Sequence, residues 1–330
     1  MSPTAKSELH PATAAEVTEA LRAVPDVEVL ENEPLARYTR FGVGGPARWI
    51  VNIPGVPALQ QVLSILDRYG VPRFTLGSGT NVIAPDEGYP GAILRYLAAR
   101  YSIRDVWLEA DAGVELQRLV DATIEQGLAG LENLTGIPGT LGAAIYGNAG
   151  AYGRSIGDVV EKVRVLAAGQ LRDMEQSECA FAYRESIFKQ HRTWIILWAC
   201  LRLTPGDREA LRARADEIRR VRDPKYPSHM KCAGSIFKNL LVDSLPEVVR
   251  AQVPRELIRE GKVPAAYFLE KVGAKGLQIG GMRVADYHAN LIYNTSTGTA
   301  SELIQLITEL KTRVRERFGV ELEEEVQYIH

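Results

Sequence analysis

Residues 41–53, FGVGGPARWIVNI, carry the spacing G-x-G-x-x-A from Gly42 to Ala47. That spacing marks a Rossmann fold only where a strand precedes it and a helix opens on it, because the helix N-terminus holds the phosphates. Here Pro46 leads into ARWIVNI, whose alternation and β-branched residues read as a strand. The Rossmann reading fails. A P-loop fails too, since no glycine-rich run closes on Gly-Lys-Ser or Gly-Lys-Thr.

Outward from that stretch, residues 12–23 have helical periodicity, 48–53 form a strand, 56–69 a helix stopped by Gly70, and 73–76 a second strand. Between about 91 and 205, short β-rich runs (106–110, 163–167, 194–203) alternate with glycine-rich loops and one helix, 116–126. DREALRARADEIRRVR, residues 207–222, is a charged helix ending before Pro224, so a domain boundary is expected near 205. A helical insert at 244–260, a helix at 301–318 closed by Gly319 and a terminal strand at 320–329 follow. The expected division is 1–72, 73–205 and 206–330.

Over 330 residues, 46% hydrophobic and 24% charged, the chain has room for two or three folded domains. Lys and Arg number 39 against 41 Asp and Glu, so bulk charge favours neither nucleic acid nor an anionic membrane as partner. The N-terminus lacks an apolar core and the longest apolar run, 194–201, is far short of a span. A cytoplasmic protein without membrane insertion is expected. Cys179, Cys200 and Cys232 are odd in number and widely spaced, which offers neither a disulfide framework nor a metal site.

Gly77-Ser78-Gly79-Thr80-Asn81 directly follows a strand, where successive N–H groups form either an anion-binding nest or a plain turn. Residues 136–153, GIPGTLGAAIYGNAGAYG, hold six glycines and four alanines, which suits close approach to a flat ligand or a crossing of packed loops. Arg184 after Tyr183 reads locally as a surface residue or ion-pair partner. Ser235 in AGSIFKN is not a G-x-S-x-G nucleophile and reads locally as a turn serine. Glu321, Glu323 and Glu325 alternate with apolar residues as on a half-buried strand.

YTRFGVGGPA, LGSGTNVI, GIPGTLGAAIYGNAGAYG, YRESIFK, AGSIFKN, GLQIGGMRVADYHAN and LEEEV occur in one order across residues 38–329. In order and spacing they resemble the UDP-N-acetylenolpyruvoylglucosamine reductase family, flavoenzymes of peptidoglycan precursor synthesis. The resemblance implies an α+β fold: a two-lobed FAD-binding module of the vanillyl-alcohol-oxidase type, then a smaller α+β substrate-binding domain. It implies bound FAD, NADPH as hydride donor, and reduction of UDP-N-acetylglucosamine enolpyruvate to UDP-N-acetylmuramate. NADPH and substrate would visit one pocket in turn, which fits the missing Rossmann fingerprint.

By the same resemblance, Gly77, Ser78, Gly79, Thr80 and Asn81 hold the FAD pyrophosphate. Gly136, Ile137, Pro138, Gly139, Thr140 and Gly142, with Asn148, Gly150 and Tyr152, line the flavin. Arg184 is the fixed cation demanded by charge growing on the substrate carboxylate, Ser235 the proton donor, and Glu325 the partner that orients the carboxylate. Tyr183, Lys238, Asn239, His288 and Asn290 fall on the substrate side, His288 alternatively being a structural histidine. Arg220, Arg222 and Lys225 read as a solvated basic helix end within reach of a diphosphate.

The chain departs from the family at Leu240, where members carry proline, and in a long segment at 241–266. It lacks the tyrosine-bearing insert of one subtype. The oligomeric state is not legible, and a monomer is the favoured expectation. Two alternatives stay open: another FAD oxidoreductase or oxidase on the same module, or a non-catalytic nucleotide-sugar binding protein.

Overall fold

The structure, a computed structural model, describes residues 11–330. Residues 1–10, on which the reading of no leader rests, lie outside it. The first lobe is a four-stranded sheet in the order Glu28–Pro34, Pro46–Ile53, Tyr89–Tyr96, Arg73–Thr75. The first pair is antiparallel and the other two are parallel. Alternation in Pro46–Ile53 sends Trp49, Val51 and Ile53 against the helices Pro11–Arg22 and Val56–Arg68, while Ile50 joins the opposite core with Leu35, Leu76 and Ile329. The glycines of the opening stretch serve this packing: Gly45 donates to Pro85 and accepts from Leu35, while Gly44 accepts from Ala36. Because Tyr89–Tyr96 pairs on both sides, the first lobe's sheet extends past residue 72, where the sequence reading divided the lobes.

The second lobe is a five-stranded antiparallel sheet in the order Gln170–Glu175, Val160–Ala167, Ile195–Arg202, Trp107–Asp111, Tyr101–Arg104, with helix Leu116–Glu125 packed on it. Leu166, Ile195 and Leu197 reach the helices of the first lobe, which joins the two lobes through one core. The helix Arg208–Arg222, capped by Asp207 on Ala210 N–H at 2.7 Å, belongs by packing to the second lobe rather than to the third unit. Its Leu211 and Ala215, one turn apart, enter the second lobe's core.

The third unit is a four-stranded antiparallel sheet, Lys231–Ser235, His288–Asn294, Met282–Ala285, Gln278–Ile279, covered by Ala265–Lys271 and Ala300–Phe318. A Thr299–Glu302 capping box starts the long helix, and Gly319 at φ +64° ends it. Phe41, Val43 and Ile83 of the first lobe complete its core.

Two expected elements come out differently. The stretch 244–260 holds two separate turns, α-helical Glu247–Arg250 and 3-10 Arg255–Leu257, because Pro254 between them lacks the N–H that a continuous helix needs. At the C-terminus only Gln327–Tyr328 forms a strand, parallel to Val82–Ile83. Upstream the chain is extended, with Val320, Leu322 and Val326 buried, and it meets residues 236–238 through Lys238 N–H to Glu323 O at 2.9 Å and Glu325 N–H to Ile236 O at 2.7 Å.

Candidate functional site

Arg184 sits in a tight turn closed by reciprocal bonds between Ala182 and Glu185, and takes a left-handed φ of +57°. That conformation is strained for a long side chain. Lys189 Nζ braces it by donating to Arg184 O at 2.5 Å. The guanidinium Nε donates to Glu325 Oε1 at 2.6 Å, with both side chains less than a quarter exposed, at 23% and 22%. Water therefore screens the pair only partly, and a second carboxylate arriving beside it would meet a fixed cation.

Ser235 ends the strand Lys231–Ser235 after a register shift at 232–235. Gly234, at φ +79°, permits the bulge that turns the serine. Ser235 lies next to Ile236, whose carbonyl receives the Glu325 N–H, so backbone pairing fixes the serine and glutamate segments together. Ser235 Oγ lies 3.4 Å from Tyr226 Oη, which in turn lies 3.4 Å from His288 Nε2. Burial, aided by the positive charge of Lys225, pushes His288 down to about 4, so the ring is neutral at pH 7.

The remaining substrate-side candidates separate. Tyr183 Oη accepts from Asn239 N–H at 3.2 Å, and its ring lies between the Arg184 guanidinium at 5.3 Å and Lys262 Nζ at 4.5 Å. Lys238 is buried and donates to Glu185 Oε1 at 2.6 Å and to Glu323. Burial alone would lower its pKa, and the two carboxylates outweigh that and leave it raised. Asn290 is buried, and its amide is fully engaged by the Phe237 backbone, accepting from N–H and donating to O at 2.9 Å each. It pairs with the Phe237 backbone as a neighbouring strand would, beside the Ser235 segment.

Beside these groups residues 77–81 pack against residues 136–142. Thr80 Oγ1 donates to Pro138 O at 3.3 Å, and Gly77, Ser78 and Pro138 are exposed there. A Cβ on Gly79, at φ +65°, would lie 1.7 Å from Tyr38 O, so only glycine fits. Asn81 Nδ2 donates to Glu325 O at 3.1 Å, whereas its buried Oδ1 has no partner. An unpartnered buried acceptor beside a wall of mostly small residues suits a ligand that carries hydroxyl or N–H donors and a flat ring, and FAD is such a ligand.

Thr140 caps helix Leu141–Tyr146, Gly142 N–H donates to Ala112 O, Gly136 N–H donates to Gln117 Oε1, and Ile137 packs on the second-lobe core. Asn148 is buried, tying Gly157 N–H to Ala182 O, so it supports the Arg184 turn. Gly150 pairs with Ser155 in a short hairpin whose exposed Tyr152 lies under Arg214, 5.5 Å away.

Sequence reasoning missed Tyr226, since a tyrosine between a basic helix end and a proline carries no pattern. It also took Arg222 as solvated. Arg222 instead packs over the Tyr226 ring at 5.3 Å, with Nη2 3.5 Å from Gly136 O and a buried Nε without a partner, while Arg220 and Lys225 are exposed.

Residues 50–174 match the family model described as FAD binding domain, and residues 226–329 match that of UDP-N-acetylenolpyruvoylglucosamine reductase, C-terminal domain. The fold is thus that of a FAD-dependent oxidoreductase with a separate C-terminal domain, in the α+β class that the resemblance implied. A Solibacter usitatus protein named UDP-N-acetylenolpyruvoylglucosamine reductase is 49% identical over 94% of this chain and 99% of its own length. A namesake from Rubrobacter xylanophilus is 37% identical over 90% and 94%. The crystal structure of the Thermus caldophilus UDP-N-acetylenolpyruvylglucosamine reductase superposes with a TM-score of 0.72 at 28% identity, covering 92% of this chain and 99% of that one. The chain belongs to the UDP-N-acetylenolpyruvoylglucosamine reductase family, flavoenzymes that take their electrons from NADPH. Among the described residues no helix is long and apolar enough to cross a membrane.

Proposed function

We propose that this chain reduces UDP-N-acetylglucosamine enolpyruvate to UDP-N-acetylmuramate in the cytoplasm, as a monomer, in service of peptidoglycan synthesis. Bound FAD supplies the chemistry of hydride transfer from NADPH to the alkene carbon. Gly77, Ser78, Gly79, Thr80 and Asn81 hold its pyrophosphate, and residues 136–142 line its ring, with Asn148, Gly150 and Tyr152 shaping the loop behind. The chain's own side chains do the rest.

Arg184 takes the substrate carboxylate, where negative charge grows as the double bond is reduced, and Glu325 keeps the guanidinium aimed. Ser235 gives its hydroxyl proton to the carbon beside that carboxylate; a weak acid suffices because the acceptor is a strongly basic enolate. Tyr183, Asn239 and the neutral His288 border the nucleotide-sugar side. Lys238 and Asn290, already engaged within the protein, hold that wall in shape.

The observation that carries this reading is the 2.6 Å bond from Arg184 Nε to Glu325 Oε1, on a backbone paired beside Ser235. Its test is an anaerobic titration. NADPH should bleach the yellow protein, and the enolpyruvyl nucleotide sugar should restore the colour stoichiometrically. Colour restored by oxygen or a simple alcohol but not by that sugar would make the chain a different flavin oxidase. A protein that stays colourless after FAD is added would be a binding protein.

A further inference from the structure

The serine hydroxyl has a partly buried partner that the reaction as described leaves unused. Tyr226 Oη lies 3.4 Å from Ser235 Oγ on one side and 3.4 Å from His288 Nε2 on the other. We propose that Tyr226 is the second proton carrier of this site, passing its hydroxyl proton to Ser235 as Ser235 gives its own to the substrate, with His288 setting the direction of the chain. The proposal rests on the reading of Ser235 as proton donor.

The direction follows from the hydrogen bonds. Asn290 N–H donates to His288 Nδ1 at 3.2 Å, so the neutral ring carries its hydrogen on Nε2. Nε2–H then donates to Tyr226 Oη. The tyrosine hydrogen is left to point at Ser235 Oγ, and the serine hydrogen is left for the substrate. Both 3.4 Å separations are at the long end for hydrogen bonds, and catalytic contacts of this kind tighten when substrate is bound. The His288 ring, partly buried and pushed down to about 4, stays neutral and keeps this orientation at working pH.

The protons balance. A C–H bond forms at the carbon beside the carboxylate as the Ser235 O–H bond breaks. The Tyr226 O–H bond breaks as the Ser235 O–H bond is remade. The negative charge ends on a phenolate, whose conjugate acid is far stronger than an aliphatic alcohol. That phenolate accepts the His288 Nε2–H and lies under the Arg222 guanidinium, 5.3 Å from the ring centre. Solvent returns the proton between turnovers. The site is built for this: Tyr226 continues the end of helix Arg208–Arg222 through its N–H to Arg222 O at 2.8 Å, and Tyr287 Oη fixes the same turn by donating to Lys225 O at 2.9 Å.

The test uses the full chain loaded with FAD and Tyr226→Phe, which removes one oxygen and keeps the ring. Bleaching by NADPH is the internal reference, and recovery of colour on adding the enolpyruvyl nucleotide sugar is the step of interest. The ratio of second to first rate should fall about 10- to 100-fold. In mixtures of light and heavy water, recovery in the unmodified protein should follow a bowed curve, two protons moving together, and in Tyr226→Phe a straight line. An unchanged ratio, an equal fall in both rates, or a straight line in the unmodified protein would overturn the proposal. A readout independent of turnover is ¹⁵N NMR of labelled histidine, assigned with His288→Gln: His288 should carry its proton on Nε2 at neutral pH, and the opposite tautomer sinks the stated direction. If the sugar fails to restore colour even in the unmodified protein, the functional reading falls first and the relay with it.

Discussion

The side-chain amide of Asn81 donates to the backbone carbonyl of Glu325 at 3.1 Å, and the Asn81 carbonyl accepts from Gln327 N–H at 3.0 Å. The turn after the strand Arg73–Thr75 and the C-terminal segment are thereby one mechanical unit. A disturbance in the glycine turn must reach the carboxylate that aims Arg184. The glycine turn and the Arg184–Glu325 pair are coupled through these two bonds, and their perturbation by mutation should be coupled as well.

Gly79→Ala tests that coupling. The new methyl would lie 1.7 Å from Tyr38 O, at a φ of +65° that disfavours any side chain, so the turn must move as backbone. Strain alone costs about 1–3 kcal/mol, and the clash adds to it. Purified variant should retain little flavin by absorbance and melt lower than the unmodified protein. Normal flavin content at full occupancy would show that the turn is not a cofactor wall.

Ser235→Ala should leave bleaching by NADPH close to normal and slow the recovery of colour by about 10²- to 10⁴-fold. Rapid-mixing absorbance separates the two. Equal losses in both steps would mean that the serine matters for packing and not for proton delivery.

For the Arg184–Glu325 pair, direct contact predicts similar penalties from either side. Glu325→Gln frees the guanidinium to rotate, and Arg184→Lys replaces a planar fork with a point charge. Each should lower the recovery step by about 10²- to 10³-fold. Thermal stability should change little, on the order of 1 kcal/mol, because solvent still reaches both side chains. Combining the two should cost much less than the product of the single effects, which a double-mutant cycle on the recovery rate measures.

Local pattern carried the strands and helices whose periodicity is complete, such as Pro46–Ile53 and Ala300–Phe318. It failed where partners come from far along the chain. Residues 320–326 alternate like a strand, yet their pairing is limited to residues 236–238, whose outer edge is taken by the Asn290 amide. Nothing within the strand that holds Asn290 shows that its amide bonds the Phe237 backbone at both ends. Arg222 and Tyr226 were illegible for the same reason: their surroundings are Gly136, Ser235 and His288, none of them neighbours in sequence. Arg184 and Glu325, 141 positions apart, were named through family resemblance, and only the fold shows them bonded.

His288 predicts an acid limb of stability. Its ordinary value is 6.5 and burial holds it near 4 in the folded protein, so between those values the unfolded chain binds the extra proton. The stabilisation is complete above pH 6.5 and is lost as pH falls toward 4. The fall from 6.5 to about 4 corresponds to roughly 3 kcal/mol. In His288→Gln the term vanishes. The melting temperature of the unmodified protein relative to the variant should drop steadily from pH 6.5 to 4. A constant difference over that window would mean that the ring is exposed to protons in the folded state.

Lys238 gives the opposite pH signature. Burial alone would lower its pKa, and hydrogen bonds to Glu185 and Glu323 outweigh that and leave it raised. Its contribution is therefore complete below its ordinary value near 10.5 and is lost as pH rises through the raised one. Glu185 titrates at the other end. Burial would raise it, the Lys238 bond and nearby Lys189 leave it lowered, and its contribution is complete above 4.5 and lost as pH falls through the folded value. Between those limits the pair is intact. Lys238→Met leaves Glu185 with Lys189 alone and Glu323 without its cation, and these carboxylates are 42% and 71% exposed, so water takes up much of the charge. The expected cost is about 1–2 kcal/mol, well below that of breaking a fully buried pair. The gap in melting temperature between the unmodified protein and Lys238→Met should be widest between those limits and should narrow in acid as Glu185 is protonated. A gap of constant size down to pH 3 would assign Lys238 to packing through its aliphatic stem, and the charge network would then contribute nothing to the wall beside Arg184.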